Sequence, residues 1–268
     1  MSFSATQPQR PETPLHPVFD HPRYRQVEAW LGQASPVGNS PFFEKDQFPW
    51  AYDLEANWLV IRQELDQVLQ HVNALPNFKD IMPRQQRISP DDGWKTYYFC
   101  AFGFIATQNC QQCPETWKLL QNIPGLKVAF FSILAPGKHI LEHRGKHKGL
   151  IRYHLGLIVP QPQTKCGIRV GNQIAHWEEG ESLIFDDTYY HEAWNRSDRY
   201  RVVLFLDIAR PFYFPLSWVN GLVSRLLVLS PLVKQAKANY AHWEKQHEQA
   251  KQSSQTLSVP SEKSLNDR

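Results

Sequence analysis

The chain reads as a mainly β protein, a sandwich or jelly roll between helical flanks, on three observations. From Trp94 to about Asp207, short β-branched and aromatic runs alternate with Gly, Pro, Asn and Asp. On both sides of that stretch apolar residues recur at helical spacing instead. No repeat of solenoid length is present. At 268 residues, with 42% hydrophobic and 13% aromatic content, the chain can bury one substantial core, so one domain with decoration is the economical arrangement.

In chain order, residues 1–20 are polar and proline-containing, which predicts an unstructured lead. Residues 21–93 are expected as a helical part packed on the barrel. A first helix spans about Arg23 to Gln33. A second carries Leu54, Trp58, Ile61, Leu65, Val68, Leu69 and Val72 on one face, Arg62, Glu64 and Gln67 outward, and Asp53 near its start as a cap. Residues 94–212 form the β core, with strands expected at 95–104, 127–134, 150–159, 167–170, 173–177, 182–185 and 200–207. A brief helix over Pro114–Gln121 interrupts them, its proline in the first turn where a missing N–H costs nothing. Gly171-Asn172 joins two of the runs as a hairpin turn, because both residues tolerate positive φ. Residues 213–247 return to helix, broken at Pro231, and 248–268 read as a disordered tail.

Charge and cysteine content bound the function classes. Twenty-nine basic and 26 acidic residues leave a net charge of +3, without the concentrated basic stripe that nucleic-acid binding needs. Residues 1–14 lack the basic start and apolar run of a secretory signal. Four cysteines, Cys100, Cys110, Cys113 and Cys166, do not suggest a disulfide framework, so a cytoplasmic protein is expected. The apolar segment 216–232 is interrupted by Asn220, Ser224 and Arg225 and is shorter than the roughly 20 residues that cross a bilayer. Two uses remain open for it: packing on the barrel or on a second copy, or peripheral contact with the inner face of a membrane, with Arg225, Lys234 and Lys237 near lipid headgroups.

The chemistry concentrates between Glu142 and Arg201. His143 and His191 offer two imidazoles for a metal, and iron(II) accepts neutral imidazole nitrogen while needing open positions for other ligands. Arg152 and His154 are two apart on an expected strand, so both project from one face with Tyr153 and Leu155 on the other. Arg201 opens the last strand on the side shared by Val203 and Phe205. A charge there needs a partner, either a bound carboxylate or a protein carboxylate such as Asp186. Imidazoles for a metal beside cations for a dicarboxylate are the inventory of an iron and 2-oxoglutarate oxygenase. Competing readings are a zinc site on His139, His143 and His147, disfavoured by the surrounding Pro and Gly, and a thiol pair at Cys110 and Cys113. Asp186 and Asp187 read as turn residues, one of which could approach a metal through water.

From about Trp94 to Pro211 the chain resembles the aspartyl/asparaginyl β-hydroxylase family of 2-oxoglutarate oxygenases. The residues that carry the resemblance are Gly93-Trp94-Lys95, Pro136-Gly137 with His139, His143-Arg144-Gly145, Arg152-Tyr153-His154-Leu155-Gly156-Leu157, Trp177-Glu178-Glu179-Gly180-Glu181, Phe185-Asp186-Asp187-Thr188, His191-Glu192-Ala193-Trp194, and Arg201 ahead of the last strand. The resemblance implies a double-stranded β-helix (jelly roll) with N-terminal helices and a C-terminal helical extension. It implies His143 and His191 as iron ligands, Arg201 as the grip on the distal carboxylate of 2-oxoglutarate, and Ser132, Arg152, His154 and Trp94 as further cosubstrate contacts. Most such oxygenases use a His-x-Asp/Glu…His triad, whereas Gly145 stands at the carboxylate position. The animal peptide hydroxylases of the family share this glycine, and several bacterial relatives acting on lipids carry aspartate there.

The sequence therefore predicts an Fe(II)- and 2-oxoglutarate-dependent dioxygenase that uses O2 to hydroxylate an aliphatic C–H of a peptide Asp or Asn, an amino acid or a lipid acyl chain. Arg144 and Lys146 beside the metal turn would attract an acidic acceptor or stay solvated. The rival is a catalytically silent jelly roll that binds a metal or dicarboxylate, motivated by the missing carboxylate at Gly145.

Overall fold

The computed structural model describes residues 18–257. The helical N-terminal part holds α1 (Pro22–Gln33), a two-residue strand β1 (Phe42–Phe43), α2 (Trp50–Ala56), α3 (Trp58–Leu69) and the single turn α4 (Phe78–Ile81). The helix expected to start at Asp53 is two helices. Asn57 breaks them, its side chain donating back to the Asp53 carbonyl, and Asp53 sits within α2 instead of capping α3. The apolar stripe survives the break: Leu54, Ile61, Leu65 and Val68 are all buried.

The core follows as β2 (Trp94–Ala101), β3 (Phe104–Ile105), α5 (Thr107–Gln112), α6 (Pro114–Gln121), β4 (Leu126–Leu134), β5 (His139–His143), β6 (Leu150–Ile158), β7 (Cys166–Val170), β8 (Gln173–Ala175), β9 (Ser182–Phe185), β10 (His191–Asn195) and β11 (Arg201–Ala209). The run expected as one strand over 95–104 folds back on itself, because Phe102 and Gly103 both take positive φ and pair β2 with β3. Gly171, at φ 60, turns β7 into β8 with Val170 opposite Gln173, as its sequence predicted.

Among the described residues the strands form two antiparallel sheets. The larger has the order β1-β9-β6-β11-β4-β2-β3 and the smaller β5-β10-β7-β8. Non-consecutive neighbours in both orders, closed face to face, make this a double-stranded β-helix. The outer face of the large sheet, including Phe131, Tyr153, Leu155 and Leu204, buries against Leu54, Ile61, Leu65 and Leu120 of the helices. Its inner face, including Phe130, Phe185, Val203 and Phe205, packs on Ile140, Ile168, Val170 and Ala193 of the small sheet. Alternation along β6 and β11 separates these two sets, so every second residue looks into the barrel.

Two helices complete the described chain, α7 (Leu216–Val228) and α8 (Pro231–Leu257). The tail expected to begin at 248 is helical to Leu257, in keeping with its Ala, Lys, Gln and Glu content. Residues 1–17 and 258–268, where the lead and the rest of that tail were expected, lie outside the described residues. Among the described residues no single helix is long and apolar enough to cross a membrane; α7 and the first part of α8 would suffice together but are bent by 49°. α7 is inside out: Asn220 and Ser224 are its buried residues, while Trp218, Leu222 and Leu226 are exposed. Asn220 donates to the carbonyls of Gly149 and Arg210, which fixes the polar face inward.

Candidate active site

The two strands that carry the histidines expected to hold a metal are neighbours. β5 and β10 pair in the small sheet with His143 directly opposite His191, and their rings lie 4.2 Å apart between centroids. Neither strand was anticipated, because each is five residues long and too polar to show a period of two. Each imidazole donates its Nδ1 proton to the carbonyl two residues earlier, His143 to Leu141 at 2.8 Å and His191 to Tyr189 at 2.9 Å. A carbonyl can only accept, so both rings are held in one tautomer with the Nε2 lone pair free for a metal. Burial keeps them neutral: His143 is pushed down to about 4 and His191 well below its usual range, with Arg152 adding to both shifts.

The loop that follows His143 is stapled to the loop that precedes His191. The Gly145 N–H donates to the Asp187 carbonyl at 2.7 Å. Arg144 is buried, donates to the Thr188 carbonyl at 2.9 Å and clamps Glu28 of α1 at 2.6 and 2.5 Å. It is therefore spent inside the protein and is not the solvated lure for an acidic acceptor that the sequence allowed; Lys146 remains exposed. Asp186 is fully buried and takes bonds from Lys148 at 2.5 Å, from Arg210 and from the Thr188 N–H and hydroxyl. It is a turn anchor, and it is not the partner of Arg201.

Among the described residues Arg201 has no hydrogen-bond partner for its Nε or Nη1. It is 1% exposed, lies over the Trp177 ring at 4.4 Å, and burial pushes it down to about 10 with only the Cys166 thiol opposing. A guanidinium this buried and unpaired is expensive unless an anion completes it. Next to it His154 is also buried with neither ring nitrogen bonded, and desolvation followed by the charge of Arg201 drives its pKa far down. Rings connect the two ends of the site. Trp177 is 5.9 Å from His154, His154 is 5.1 Å from Phe185, and Phe185 is 5.8 Å from His191. Orphaned donors at one end and free imidazole nitrogens at the other thus share one interior layer.

The other expected contacts divide. Ser132 is buried and accepts from the Trp94 indole at 3.0 Å, which leaves its own hydroxyl proton to give. Trp94 is held by stacking on Phe78 at 4.0 Å, so it positions Ser132. Arg152 does face the interior with His154, yet its guanidinium is committed to Asp207, at 2.9 and 3.2 Å, and to Asp187 at 3.0 Å. The role of Trp177 under Arg201 and the Arg152–Asp207 pair were not foreseen. The pair was within reach, since Asp207 has the same parity as Arg201 on the last strand.

The competing metal readings do not assemble. His139 begins β5 and bonds Glu192 at 2.8 Å, while His147 lies beyond the strand, so the three histidines are spread out and not aligned. Cys110 and Cys113 are buried free thiols. Among the described residues no group of three or more His, Cys, Asp or Glu converges on one metal position, and His143 and His191 stand together as a pair.

Comparison with known proteins extends the picture beyond geometry. The profile of a family described as aspartyl/asparaginyl beta-hydroxylase matches residues 55–211. The chain is similar to an ornithine lipid ester-linked acyl 2-hydroxylase of Rhizobium tropici, 47% identical over 209 residues that span 78% of this chain and 74% of that one. It is also similar to the aspartyl/asparaginyl beta-hydroxylase of Homo sapiens, 31% identical over 167 residues, 60% of this chain and 21% of that one. The chain thus corresponds to about a fifth of the human protein's length. Among solved structures, the cupin domain of a transcriptional regulator from Enterobacter cloacae aligns with a TM-score of 0.30 and 16% identity over 43% of this chain and 96% of that one.

Proposed function

The chain belongs to the aspartyl/asparaginyl β-hydroxylase family, and from that premise we propose that it is an Fe(II)- and 2-oxoglutarate-dependent hydroxylase acting on the acyl chain of a lipid. One observation carries the cosubstrate part of this reading: a buried Arg201 with unpaired donors, in the same interior layer as two neutral imidazoles whose Nε2 atoms are free. The donor set fits the group. His143 and His191 would hold iron, Arg201 would grip the far carboxylate of 2-oxoglutarate in two parallel bonds, and Ser132 and His154 would supply further polar contacts. Once bound, iron and 2-oxoglutarate would supply the oxidising power, so that one atom of O2 enters an aliphatic C–H bond and the other leaves in succinate, with carbon dioxide released.

The protein's own contribution is placement. Backbone carbonyls fix both imidazole tautomers, Arg144 ties α1 to the two ligand loops, and the aromatic layer of Trp177, Phe185 and Phe205 excludes water from the reacting centre. A lipid acceptor is favoured over a peptide or amino acid by the greater likeness to the acyl 2-hydroxylase, in both identity and extent. The outward apolar face of α7 supports an enzyme held peripherally at a membrane, and we place it on the cytoplasmic side.

Anaerobic titration of Fe(II) into the protein with 2-oxoglutarate tests the reading. A visible metal-to-keto-acid charge-transfer band is expected, followed in air by succinate release and a gain of one oxygen in an acyl lipid. Absence of both band and succinate from folded protein would leave the silent binder, and a band that persists in His191→Ala would move the site elsewhere.

A further inference from the structure

The interior layer does not end at the imidazoles. Beyond Phe205 it opens into a cavity of about 180 Å³ between the mouth of the barrel, α4 and the first turns of α8. Phe78 and Met82 form one wall, Phe130 and Phe104 a second, and Val233 and Ala236 of α8 a third. Arg152 and Asp207 close the floor, but they are bonded to each other. The Tyr240 hydroxyl, on the α8 side, already takes a bond from Asn109 at 2.8 Å. These polar groups are thus engaged within the protein, and apart from Gln85 and Lys237 the remaining wall is predominantly hydrocarbon and aromatic.

That composition discriminates between ligand classes. A peptide brings one N–H and one C=O per residue, each needing a partner when buried, and these walls offer little to pair with them. A methylene chain needs none. Apolar cavities of roughly this size, around 150 Å³, stay dry and take hydrocarbon guests. The floor is also the near wall of the site: Arg152 contacts Asp187 beside Gly145, and Phe205 lies 5.0 Å from the His154 ring. A chain in the cavity is therefore separated from the paired imidazoles by one layer of side chains. On the far side, Leu232 and Val233 of the first α8 turn line the opening, just after the exposed apolar stripe of α7 ends.

We propose that this cavity is the binding site for the straight hydrocarbon tail of an acyl chain, which reaches inward as far as Arg152 and Phe205. The inference rests on the lipid-acyl reading above. α8 is then a specificity element, since Val233, Ala236 and Tyr240 set the room left for the tail.

The test is a fluorescence titration of the full chain, without metal, with cis-parinaric acid, and its displacement by dodecanoate and by methyl dodecanoate. Saturable binding is expected. Stronger displacement by the ester would identify a lipid-linked chain as the source, and stronger displacement by the carboxylate a free fatty acid. Ala236→Trp in α8 and Met82→Trp at the end of α4 both fill the cavity, and each should weaken binding at least ten-fold while circular dichroism and the melting temperature show a folded protein. If one variant fails to fold, the other decides. No saturable binding to the unaltered chain, or undiminished binding to a folded Trp variant, would overturn the proposal. The iron and 2-oxoglutarate band, recorded on the same preparations, separates the two failures: a band without parinarate binding removes the acyl cavity alone, and binding without a band removes the cofactor reading alone.

Discussion

The carboxylate of Asp187 fills the space that any side chain at Gly145 would need, and the Gly145 N–H donates to the carbonyl of the same Asp187. The position where a third protein ligand is usual is thus blocked by a neighbour and not merely vacant. Burial pushes Asp187 up to about 6 against the pull of Arg152, with Asp207 and Asp186 adding to the rise. A second carboxylate there would meet both a clash and a like charge.

Gly145→Asp is therefore expected to destabilise the protein by about 2–3 kcal/mol, without tightening iron binding. The double variant Gly145→Asp with Asp187→Gly removes the obstruction, and should recover most of the melting temperature and hold iron at least as well as the unaltered chain. Thermal melts and anaerobic iron titrations of the three proteins measure both effects. A single variant that melts normally and binds iron more tightly would show that the loop accommodates a triad after all.

Arg201→Met exchanges an unpaired buried cation for a side chain of similar length that needs no partner. Affinity for 2-oxoglutarate should fall by two to three orders of magnitude, in line with the roughly 2–5 kcal/mol lost when one half of a buried charged pair is removed. Stability of the ligand-free protein should stay level or rise by about 1 kcal/mol, because the desolvated charge has gone. A calorimetric titration with 2-oxoglutarate and a melt of the apoprotein read the two in parallel. A large loss of stability with unchanged affinity would make Arg201 a structural residue.

The turn that leads into β5 is anchored by Lys138, buried to 5% exposure, on Asp91. Desolvation works against the Asp91 carboxylate, but the Lys138 ammonium and the Gly93 N–H outweigh it and hold the pKa below 3.8. A depressed carboxylate stabilises the fold above its unfolded pKa and loses that contribution as pH falls through the folded value. Asp91→Asn should thus cost about 1–2 kcal/mol at neutral pH, the exposed side of the pair being discounted for solvent. Its denaturation midpoint should converge on that of the unaltered chain as pH drops below 3.8. Urea melts across that acid range check it, and a gap that stays constant with pH would remove Asp91 from the linkage.

How much was legible follows from what each residue depends on. That Arg152 and His154 share one face, and that Arg201 shares the face of Val203 and Phe205, came from strand parity, and the Gly171 turn from tolerance of positive φ. The partners did not. Strand alternation puts Arg152 and Arg201 on the same side, but only register shows that Asp207 lies opposite Arg152, while among the described residues none bonds the Nε or Nη1 of Arg201. Likewise β5 and β10 owe their existence to pairing with each other and, for β10, with β7, a tertiary effect with no signature in five residues of mixed polarity. The clamp of Arg144 on Glu28 joins positions 116 apart, beyond any local pattern.

The inverted α7 makes the last test. Trp218, Leu222 and Leu226, four apart, form an outward stripe that Phe214 extends at one end and Leu229 at the other, with Phe214 86% and Trp218 69% exposed. Their burial in a bilayer surface is worth about 1.5–3 kcal/mol for each large side chain fully inserted, and Arg225, Lys234 and Lys237 lie along the same face or just beyond it. Vesicles containing anionic phospholipid should therefore sediment the protein, and Phe214→Glu with Trp218→Glu should lower the bound fraction at least ten-fold without shifting the melting temperature, since neither side chain supports the fold. Arg225→Glu should weaken binding to anionic vesicles and leave neutral ones unaffected, which separates the charge from the apolar stripe. If the unaltered chain ignores vesicles but elutes as a dimer that the double Glu variant breaks, the stripe is an interface between copies and peripheral membrane contact through it has to be abandoned.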